Sequence, residues 1–397
     1  MPESAPAGPV PTAVLLGPRD TVVAAAHRLG LDLVIVADPT QPRPPATDWP
    51  EIETAWTKDS GELVDRLRAL DIAGPASCFG FGELGTAVSA AVNRELGWPG
   101  NPPEAPVAFK NKAALRALVA DRAGAPVAHR LCGSGPEVAA AAAEIGYPCV
   151  VKPVDGSGSA GVRYLADPAQ TERFLAEGEL DGPHLVEEYL VGTEYSVEGM
   201  SVDGRHRVLA VTEKTTTGTP YFVETGHTMP VRLPARDAAA VTALVTATLD
   251  AAGHRYGPSH TEVMLTADGP RLIESHARPG GDRISDMLVL ALGEDVFGQT
   301  MAAVLGLPLP PAADRPRVAG IRYVTFEDAV PVPATSTALV TSLPGVVEVH
   351  IGVPAGKVPG PIRKSGDRHG FVLAVADDRD ALEARLDSAV RTLTARA

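Results

Sequence analysis

Three glycines in the run GYPCVVKPVDGSGSAGVRYL constrain the fold of this chain more than any other feature. Gly156, Gly158 and Gly161 form the pattern G-x-G-x-x-G, which occurs in dinucleotide-binding turns, in kinase-type loops over ATP phosphates and in flexible hairpins. A dinucleotide-binding turn opens a helix, whereas the Val-x-Tyr-Leu sequence after Gly161 favours a second strand. A Walker loop needs Gly-Lys-Ser or Gly-Lys-Thr, which is absent here. The remaining arrangement is a strand, a glycine loop and a second strand. The loop then either covers phosphates or is part of a flexible hairpin.

Lys152 lies in the strand that precedes the glycines, four residues before Gly156, and it favours the phosphate interpretation. Its neighbours on this strand, Cys149, Val150 and Val151, are apolar. Because burial of a lysine costs free energy, a lysine in such a strand usually reaches a partner at the sheet edge. A phosphate or an adenine ring would be a suitable partner for Lys152. The alternative is a lysine that extends to solvent at the end of a strand.

A second group of polar residues lies in the sequence GPSHTEVMLTADGPRLIESHARPGGD. Ala-Asp-Gly at 267–269 fits a three-residue hairpin loop with the glycine in the left-handed position. This register places Thr266 opposite Pro270 and, further from the loop, Glu262 opposite Glu274. The Cβ atoms of directly opposite residues are about 5 Å apart, where like charges are destabilising.

The two facing carboxylates therefore predict either a shared proton or a cation between them. Because side chains alternate between the faces of a strand, His276 and Arg278 are expected on the same side as Glu274. Ligand sets made only of oxygen atoms suit Mg²⁺, which usually also binds substrate phosphates and water. The alternative is a solvated hairpin face, which the apolar neighbours Val263 and Leu265 make less favourable.

A third and weaker pattern lies in HLVEEYLVGTEYSVEGMSVDG. Glu187 to Leu190 end one strand, and in the next strand Glu194, Ser196 and Glu198 alternate with apolar residues. A carboxylate at the end of an apolar strand can accept a hydrogen bond from an amine or a sugar hydroxyl. Alternating polar strands are ordinary, so this pattern alone decides nothing.

Composition excludes several classes of protein. The formal net charge of −14 disfavours nucleic-acid and anionic-membrane binders, because both need basic patches. No segment approaches the about 18 uninterrupted apolar residues of a membrane helix, and the N-terminus lacks the basic region of a signal peptide. Cys78, Cys132 and Cys149 have no CxxC spacing, which is typical of reduced thiols. We therefore expect a cytoplasmic protein with no nucleic-acid or membrane partner.

Strands alternate with helices over roughly the first hundred residues, which implies a parallel sheet with helices on both faces. After the turn-rich GWPGNPPEAP the pattern becomes a mixture of strands, helices and hairpins, and the proline-rich LPLPPAADRP precedes a last set of short strands and a helix. We expect a disordered start, an α/β unit, a mixed region and a final α+β unit, at residues 1–11, 12–106, 107–310 and 311–397.

In their order and spacing, the three groups of residues resemble the ATP-grasp superfamily, and the resemblance covers nearly the whole chain. The fold it implies combines α/β and α+β units: an N-terminal pre-ATP-grasp α/β domain, an ATP-grasp domain and a C-terminal α+β domain of ligase type. The two lobes that hold ATP would be at about 107–185 and 186–310. The chain is most similar to the L-amino acid ligases, which join amino acids into dipeptides. That similarity rests on TEKTTTGTPYFVETGHTMP, IESHARPGGDRISDML, PGVVEVHIG and KSGDRHGFVLAVADD.

The resemblance implies an ATP site made of two lysines at the phosphates, a glycine loop over them, and groups at the adenine and the ribose. Glu187 would face the adenine amine, with backbone contacts from Leu190, and Glu194 would bind the ribose hydroxyls. The residues of this site would be Lys110, Lys152, Ser157, Gly158, Ser159, Glu187, Leu190 and Glu194.

The resemblance also implies the metal and substrate residues. Glu262 and Glu274 match the two carboxylates that bridge the metal, and Arg278 matches an arginine that steadies the transferred phosphoryl group and contacts substrate. Glu224 and His227, in VETGH, match positions that line the amino-acid pocket of the ligases.

His276 departs from the family pattern, because most ATP-grasp enzymes have Glu-x-Asn where this chain has Glu274-Ser275-His276. Asparagine offers Mg²⁺ a hard carbonyl oxygen, and imidazole is a poorer ligand for it. We therefore expect His276 either to support the metal site or to contact phosphate or substrate. The expected catalytic residues are Lys152, His276 and Arg278. The substitution makes Mn²⁺ an alternative to Mg²⁺.

The reaction that the resemblance implies is ATP-dependent ligation of an amino acid, or a similar carboxylate, to an amine through an acyl phosphate. The partners would be small molecules, and the final unit could contribute to a homodimer interface. One alternative is another ATP-grasp reaction, such as that of a carboxylase or a purine-pathway ligase. The others are a nucleotide-binding protein without catalysis and a dinucleotide enzyme that uses the first unit. The lysines, the paired carboxylates and Arg278 argue against a loss of catalysis.

Overall fold

The computed structural model of the protein describes residues 9–120, 126–156, 158–178, 180–312, 317–326, 330–334 and 337–395. Most of the segment expected to be disordered, residues 1–8, lies outside these ranges, and so does Ser157 of the glycine loop.

The first unit has the predicted alternation of strands and helices. Its four strands form a parallel sheet in the order β3-β2-β1-β4: β1 (Thr12–Leu16), β2 (Asp32–Ala37), β3 (Glu51–Glu53) and β4 (Ala76–Phe79). α1 (Asp20–Arg28) lies between β1 and β2, α2 (Gly61–Ala69) lies between β3 and β4, and α3 (Gly85–Leu96) follows β4. Gly97 ends α3 in the left-handed conformation at φ 69°, which glycine adopts without steric cost.

The first lobe begins with two short helices that meet at Asn111. Asn111 is extended between them, and its side chain accepts a hydrogen bond from the Ala114 N–H and so caps the second helix. The helices are α4 (Glu104–Lys110), α5 (Lys112–Val119), α6 (Gly135–Ile145) and α7 (Pro168–Ala176). The strands form an antiparallel sheet in the order β5-β8-β6-β7: β5 (His129–Cys132), β6 (Cys149–Pro153), β7 (Arg163–Leu165) and β8 (His184–Glu188).

This sheet confirms the strand–loop–strand prediction for the glycine run. β6 and β7 pair antiparallel, with Cys149 opposite Leu165, and the glycine loop (residues 156–161) connects them. Gly158, Ser159 and Gly161 all have positive φ angles, of 60°, 58° and 76°. The loop therefore turns back tightly without opening a helix.

The second lobe and the C-terminal unit share one sheet of eight strands. Its order is β13-β12-β9-β10-β11-β14-β16-β15, so that the C-terminal strands extend the sheet of the second lobe. The second-lobe elements are β9 (Thr193–Val202), β10 (Arg205–Thr216), β11 (Glu224–Met229), α8 (Ala235–Ala252), β12 (Gly257–Thr266), β13 (Gly269–His276), α9 (Ile284–Leu292) and α10 (Val296–Val304). The C-terminal elements are β14 (Val318–Tyr323), α11 (Thr337–Thr341), β15 (Val346–Ile351), β16 (Gly370–Ala376) and α12 (Arg379–Thr394).

A shared hydrophobic core packs the first unit against the second lobe. Leu15 and Ile35 of the parallel sheet lie in the same buried cluster as Met287 of α9 and Phe297 of α10. Phe81, which follows β4, meets the Phe297 ring edge to face at 4.9 Å. This packing brings the loop after β4 to the end of the β12–β13 hairpin, where the polar residues gather.

No single helix in the described ranges is both long and apolar enough to cross a membrane. α9 and α10 reach that length only together, as a pair bent by 93°.

Candidate active site

Glu262 and Glu274 lie directly opposite each other on β12 and β13, as the sequence predicts. The route to this pairing differs from the prediction. Thr266 pairs with Gly269 and not with Pro270, so the hairpin loop has two residues, and a β-bulge between Glu262 and Val263 restores the predicted pairing. The shorter loop and the bulge shift the register in opposite directions, so the predicted pairing of Glu262 with Glu274 is found.

Two lysines are bound to these carboxylates. Lys214 Nζ, on β10, is 2.7 Å from Glu262 Oε1, and Lys112 Nζ, on α5, is 2.9 Å from Glu274 Oε2. Burial alone would raise the pKa of both carboxyl groups. The ammonium groups, with His260 beside Glu262 and His276 beside Glu274, lower both below the usual range. The carboxylates are therefore ionised and neutralised by cations.

The donor set of these carboxylates fits a hard divalent cation. Among the described residues, no group of three or more His, Cys, Asp and Glu side chains is arranged to hold a metal ion. Mg²⁺ in phosphate-transfer sites needs only one or two carboxylates, because substrate phosphates and water complete its coordination. Glu262 and Glu274 meet that requirement, and each of them is paired with one lysine ammonium group.

A cleft of about 200 Å³ surrounds these groups, between the sheets of the two lobes; we call it the phosphate cleft. Most of the residues expected to bind ATP line it. They are Lys152, Gly158, Ser159, Glu187, Leu190 and Glu194, with the carboxylates Glu262 and Glu274.

Lys110 does not lie in the phosphate cleft, contrary to the expectation from the resemblance. It is exposed at the last residue of α4. Lys112, two residues later at the start of α5, lines the cleft and donates to the Gly156 carbonyl oxygen at 2.6 Å. The break between α4 and α5 at Asn111 produces this difference, because it turns the second lysine and not the first toward the cleft.

The Glu187 carboxylate is engaged by two cations of the first lobe. Arg116 Nε and Nη2 donate to its two oxygens at 2.6 and 3.1 Å, and Lys152 Nζ is 2.6 Å from Oε2. Burial alone would raise the pKa of the Glu187 carboxyl group, but Lys152 and Arg116 lower this pKa to about 2. Glu187 therefore fixes the lysine at the cleft, and its ion pairs occupy the carboxylate that was expected to face adenine.

We predict that Arg116→Met lowers the free energy of unfolding by about 2 kcal/mol, because Glu187 loses two charge-assisted hydrogen bonds in a buried position. Arg116 also donates to the Ile273 carbonyl oxygen of β13, which adds to the loss. Urea unfolding followed by circular dichroism measures this. The matched control is Arg130→Met, whose pair with Glu144 is more than half exposed and should cost less than about 1 kcal/mol. Equal losses in the two variants would contradict the prediction.

Glu194 shares the ammonium group of Lys214 with Glu262. Lys214 Nζ is 2.5 Å from Glu194 Oε1, and 3.8 Å from Glu224 Oε1. Burial and the neighbouring carboxylates Glu262 and Glu224 raise the Glu194 pKa in spite of Lys214. Sequence reasoning missed Lys214, although a lysine between Glu213 and Thr215 in the strand sequence TEKTTT was a signal for it.

His276 and Arg278 extend the site away from the phosphate cleft. His276 Nε2 is 3.1 Å from Glu274 Oε1, and its Nδ1 is 3.8 Å from Glu83 Oε2. Arg278 Nε donates to Glu83 Oε2 at 2.5 Å. Glu83 follows β4 of the first unit, and nothing in its local sequence indicated this contact. The row from Glu274 through His276 and Glu83 to Arg278 thus crosses from the second lobe to the first unit.

This row leads to a second cavity of about 550 Å³, between the first unit, the second lobe and the C-terminal strands. Glu83, Arg278 and Asp282 line it, together with the aromatic rings of Phe79 and Tyr323. The cavity therefore combines apolar walls with a few charged groups, as small-molecule sites generally do.

The two residues expected in the amino-acid pocket lie apart from this cavity. Glu224 lines the phosphate cleft, where its Oε2 accepts a hydrogen bond from Ser365 Oγ at 2.8 Å. His227 is buried and lines neither space, but its Nε2 lies 3.0 Å from the Asp282 carboxylate, which lines the second cavity. His227 thus reaches the cavity only through Asp282.

A buried pair behind Glu262 was also not recognised from the sequence. Glu198 Oε2 is 2.9 Å from His260 Nδ1, and His260 Nε2 is 3.4 Å from Glu262 Oε1. Burial opposes protonation of the imidazole, but Glu198 raises the His260 pKa to about 10. Gly280 makes room for the ring, since a Cβ there would lie 2.6 Å from His260 Nδ1.

Comparisons with known proteins agree with this geometry. The ATP-grasp domain family matches residues 145–286, and L-amino acid ligase C-terminal domain 2 matches residues 334–397. The protein y4rH of Sinorhizobium fredii is 30% identical over 392 residues, which cover 94% of this chain and 79% of y4rH. Carnosine synthase 1 of Gallus gallus is 30% identical over 290 residues; the match covers 67% of this chain but only 31% of that longer protein.

The fold is also that of solved ATP-grasp structures. The L-amino acid ligase from Bacillus licheniformis superposes with a TM-score of 0.78 at 20% identity, covering 97% of this chain and 98% of that one. The likeness includes the first unit and the C-terminal strands as well as the two lobes. The chain combines an ATP-grasp domain with the C-terminal domain of the L-amino acid ligases. It therefore belongs to the ATP-grasp ligase family.

Proposed function

We propose that the protein is an ATP-dependent carboxylate–amine ligase that joins an amino acid, or a similar carboxylate, to an amine or a second amino acid. The γ-phosphoryl group of ATP passes to the substrate carboxylate, which gives an acyl phosphate and ADP. The amine then attacks the acyl carbon, the bond from that carbon to the phosphate oxygen breaks, and inorganic phosphate leaves. The observation that carries this proposal is the continuity of charged groups from the phosphate cleft to the second cavity.

The phosphate cleft supplies the groups that phosphoryl transfer needs. Glu262 and Glu274 would hold Mg²⁺ or Mn²⁺, which neutralises charge on the phosphate oxygens when bound. Lys112, Lys152 and Lys214 place three positive charges around the same space. Because this chemistry depends on positioning and charge neutralisation, it needs no protein nucleophile.

The second cavity suits an amino acid better than a ribonucleotide. Three of the four arginines that line it are already paired with carboxylates: Arg278 with Glu83, Arg368 with Asp282, and Arg283 with Glu348. A ribonucleotide phosphate would have to compete with these carboxylates. This disfavours the purine-pathway alternative.

Glu83 gives the cavity a preference for an amine. Burial would raise its pKa, but the Arg278 guanidinium outweighs that effect and keeps the pKa of Glu83 below its ordinary value. An ionised carboxylate at the wall of the cavity attracts an ammonium group. Arg278 uses Nε for Glu83 and Nη1 for the Pro279 carbonyl oxygen, and its remaining N–H groups can stabilise negative charge that develops on the reacting carbonyl oxygen. The relatives named for L-amino acid ligation and carnosine synthesis support the same substrate class.

The test is ADP release by the purified protein with Mg²⁺ and ATP, screened over pairs of amino acids. We expect at least one pair to stimulate ADP release about tenfold or more over the protein without amino acids, with an equal amount of a condensed product detected by mass spectrometry. Bicarbonate, formate and ribonucleotide amines are the comparison substrates. Stimulation by one of these alone would favour another ATP-grasp reaction, and no stimulation by any amino acid or amine would reject the ligase.

A further inference from the structure

The C-terminal turn (residues 364–368) reaches the active site from outside the ATP-grasp domain. It lies between β15 and β16 and contains a single 3-10 turn, Ser365–Asp367. Asp367 Oδ2 accepts hydrogen bonds from the backbone N–H groups of Arg363 and Lys364, both at 3.1 Å. These bonds fix the turn, so that Ser365 and Arg368 project from a defined backbone.

Ser365 joins the glycine loop to Glu224. Its Oγ donates to Glu224 Oε2 at 2.8 Å, and its backbone N–H donates to the Gly158 carbonyl oxygen at 3.3 Å. The hydroxyl is also 3.3 Å from that carbonyl, but it has one proton, so the shorter contact with the charged Glu224 is the stronger one. One residue thus holds both the loop over the phosphates and a carboxylate of the phosphate cleft.

Arg368 holds the wall of the second cavity. Its Nη1 and Nη2 donate to the two oxygens of Asp282, each at 2.7 Å, and its guanidinium lies 3.6 Å from the centre of the Tyr323 ring. Its Nε donates to the Ser365 carbonyl oxygen at 2.8 Å, which ties the two residues of the turn together.

Asp282 needs such support because its backbone is strained. Its φ is 52°, in the left-handed region that residues other than glycine adopt less readily, and Arg283 follows at φ 65°. His227 is the other partner of the Asp282 carboxylate, at 3.0 Å. Bidentate pairing fixes the orientation of a carboxylate, which a single contact does not.

We propose that Ser365 and Arg368 are positioning residues for the ligation reaction, a role that rests on the function proposed above. Arg368 holds Asp282, and with it residues 280–283 at the second cavity, while Ser365 holds Glu224 and the glycine loop at the phosphate cleft. The C-terminal turn thereby sets the amine-binding side of the site relative to the nucleotide side.

The two residues are expected to affect different kinetic parameters. Arg368→Lys keeps the charge but cannot make the bidentate contact, and it should lower kcat/KM for the amino acid substrates about tenfold while the KM for ATP stays within about twofold. Ser365→Ala should raise the KM for ATP about threefold, since it frees Glu224 at the phosphate cleft, while the backbone bond from residue 365 to the Gly158 carbonyl oxygen remains. A purely structural role would lower the melting temperature and move both parameters together.

Arg379→Gln is the matched control. Arg379 of α12 also joins the C-terminal unit to the second lobe, through Glu213 of β10, but the pair is more exposed and outside both cavities. This variant should keep wild-type kinetics. If Arg368→Lys and Ser365→Ala behave as this control does, the positioning role is wrong.

Hydrogen exchange separates this inference from the proposed function. Measured with and without Mg²⁺ and ADP, the amides of residues 280–283 should exchange several-fold faster in Arg368→Lys than in wild type, and those of residues 224–226, at the start of β11, faster in Ser365→Ala. Neither change should occur in Arg379→Gln. A protein that no amino acid stimulates, but that shows these differences, would refute the ligase reaction and retain the structural link. Unchanged exchange in both variants would overturn the inference.

Discussion

Glu274→Gln is expected to lower amino-acid-dependent ADP release by at least about a thousandfold while the protein keeps its fold. The substitution preserves the size of the side chain but removes the negative charge opposite Glu262 on the paired strands. It also takes the counter-charge from Lys112, whose Nζ is 2.9 Å from the carboxylate, and changes the partner of His276 at 3.1 Å. A cation at this site would then have one carboxylate in place of two.

The measurement is steady-state ADP release with the most active amino acid pair, together with the circular dichroism spectrum and melting temperature. Asp268→Asn is the control, because it makes the same kind of change at the exposed tip of the same hairpin and should retain wild-type activity. Near wild-type ADP release by Glu274→Gln would show that Glu274 does not hold the metal. A collapsed melting temperature would move the test to Glu262→Gln, for which the same loss is expected.

The sequence predicts the fold well where patterns are local. The alternating strands and helices of the first unit, and the strands on both sides of the glycine loop, follow from the spacing of apolar residues. The continuity of the eight-stranded sheet was not predictable in this way. β14 pairs with β11 across about ninety residues of intervening chain, and no local pattern records which strand edge a later strand will join.

The paired carboxylates show how local reasoning can reach a correct contact through an incorrect detail. The sequence favours a three-residue hairpin loop, and the structure has a two-residue loop with a bulge five residues away. Bulges depend on twist and on neighbouring strands, so the sequence of the hairpin alone does not predict them. Glu262 and Glu274 face each other because the loop and the bulge each shift the register by one residue, in opposite senses.

The contacts that escaped prediction join distant parts of the chain. Arg116 and Glu187 are 71 residues apart, and Arg278 and Glu83 are 195 apart. A glutamate between apolar strand residues can face a ligand or a buried cation equally well, and only tertiary packing decides. For Glu187, the packing of α5 against α8 places Arg116 where it pairs with the carboxylate that the resemblance assigned to adenine.

Lys112 and Lys110 provide the sharpest test of this site, because sequence and structure disagree about them. Lys112→Met should lower kcat/KM for ATP about a hundredfold, since it removes the ammonium group that joins Glu274 to the Gly156 carbonyl in the phosphate cleft. Lys110→Met, an identical change on an exposed side chain, should stay within about twofold of wild type. The measurement is ADP release as a function of ATP concentration. Loss of activity in Lys110→Met with retention in Lys112→Met would mean that the first lysine binds phosphate after all, and that the break at Asn111 rearranges when nucleotide binds.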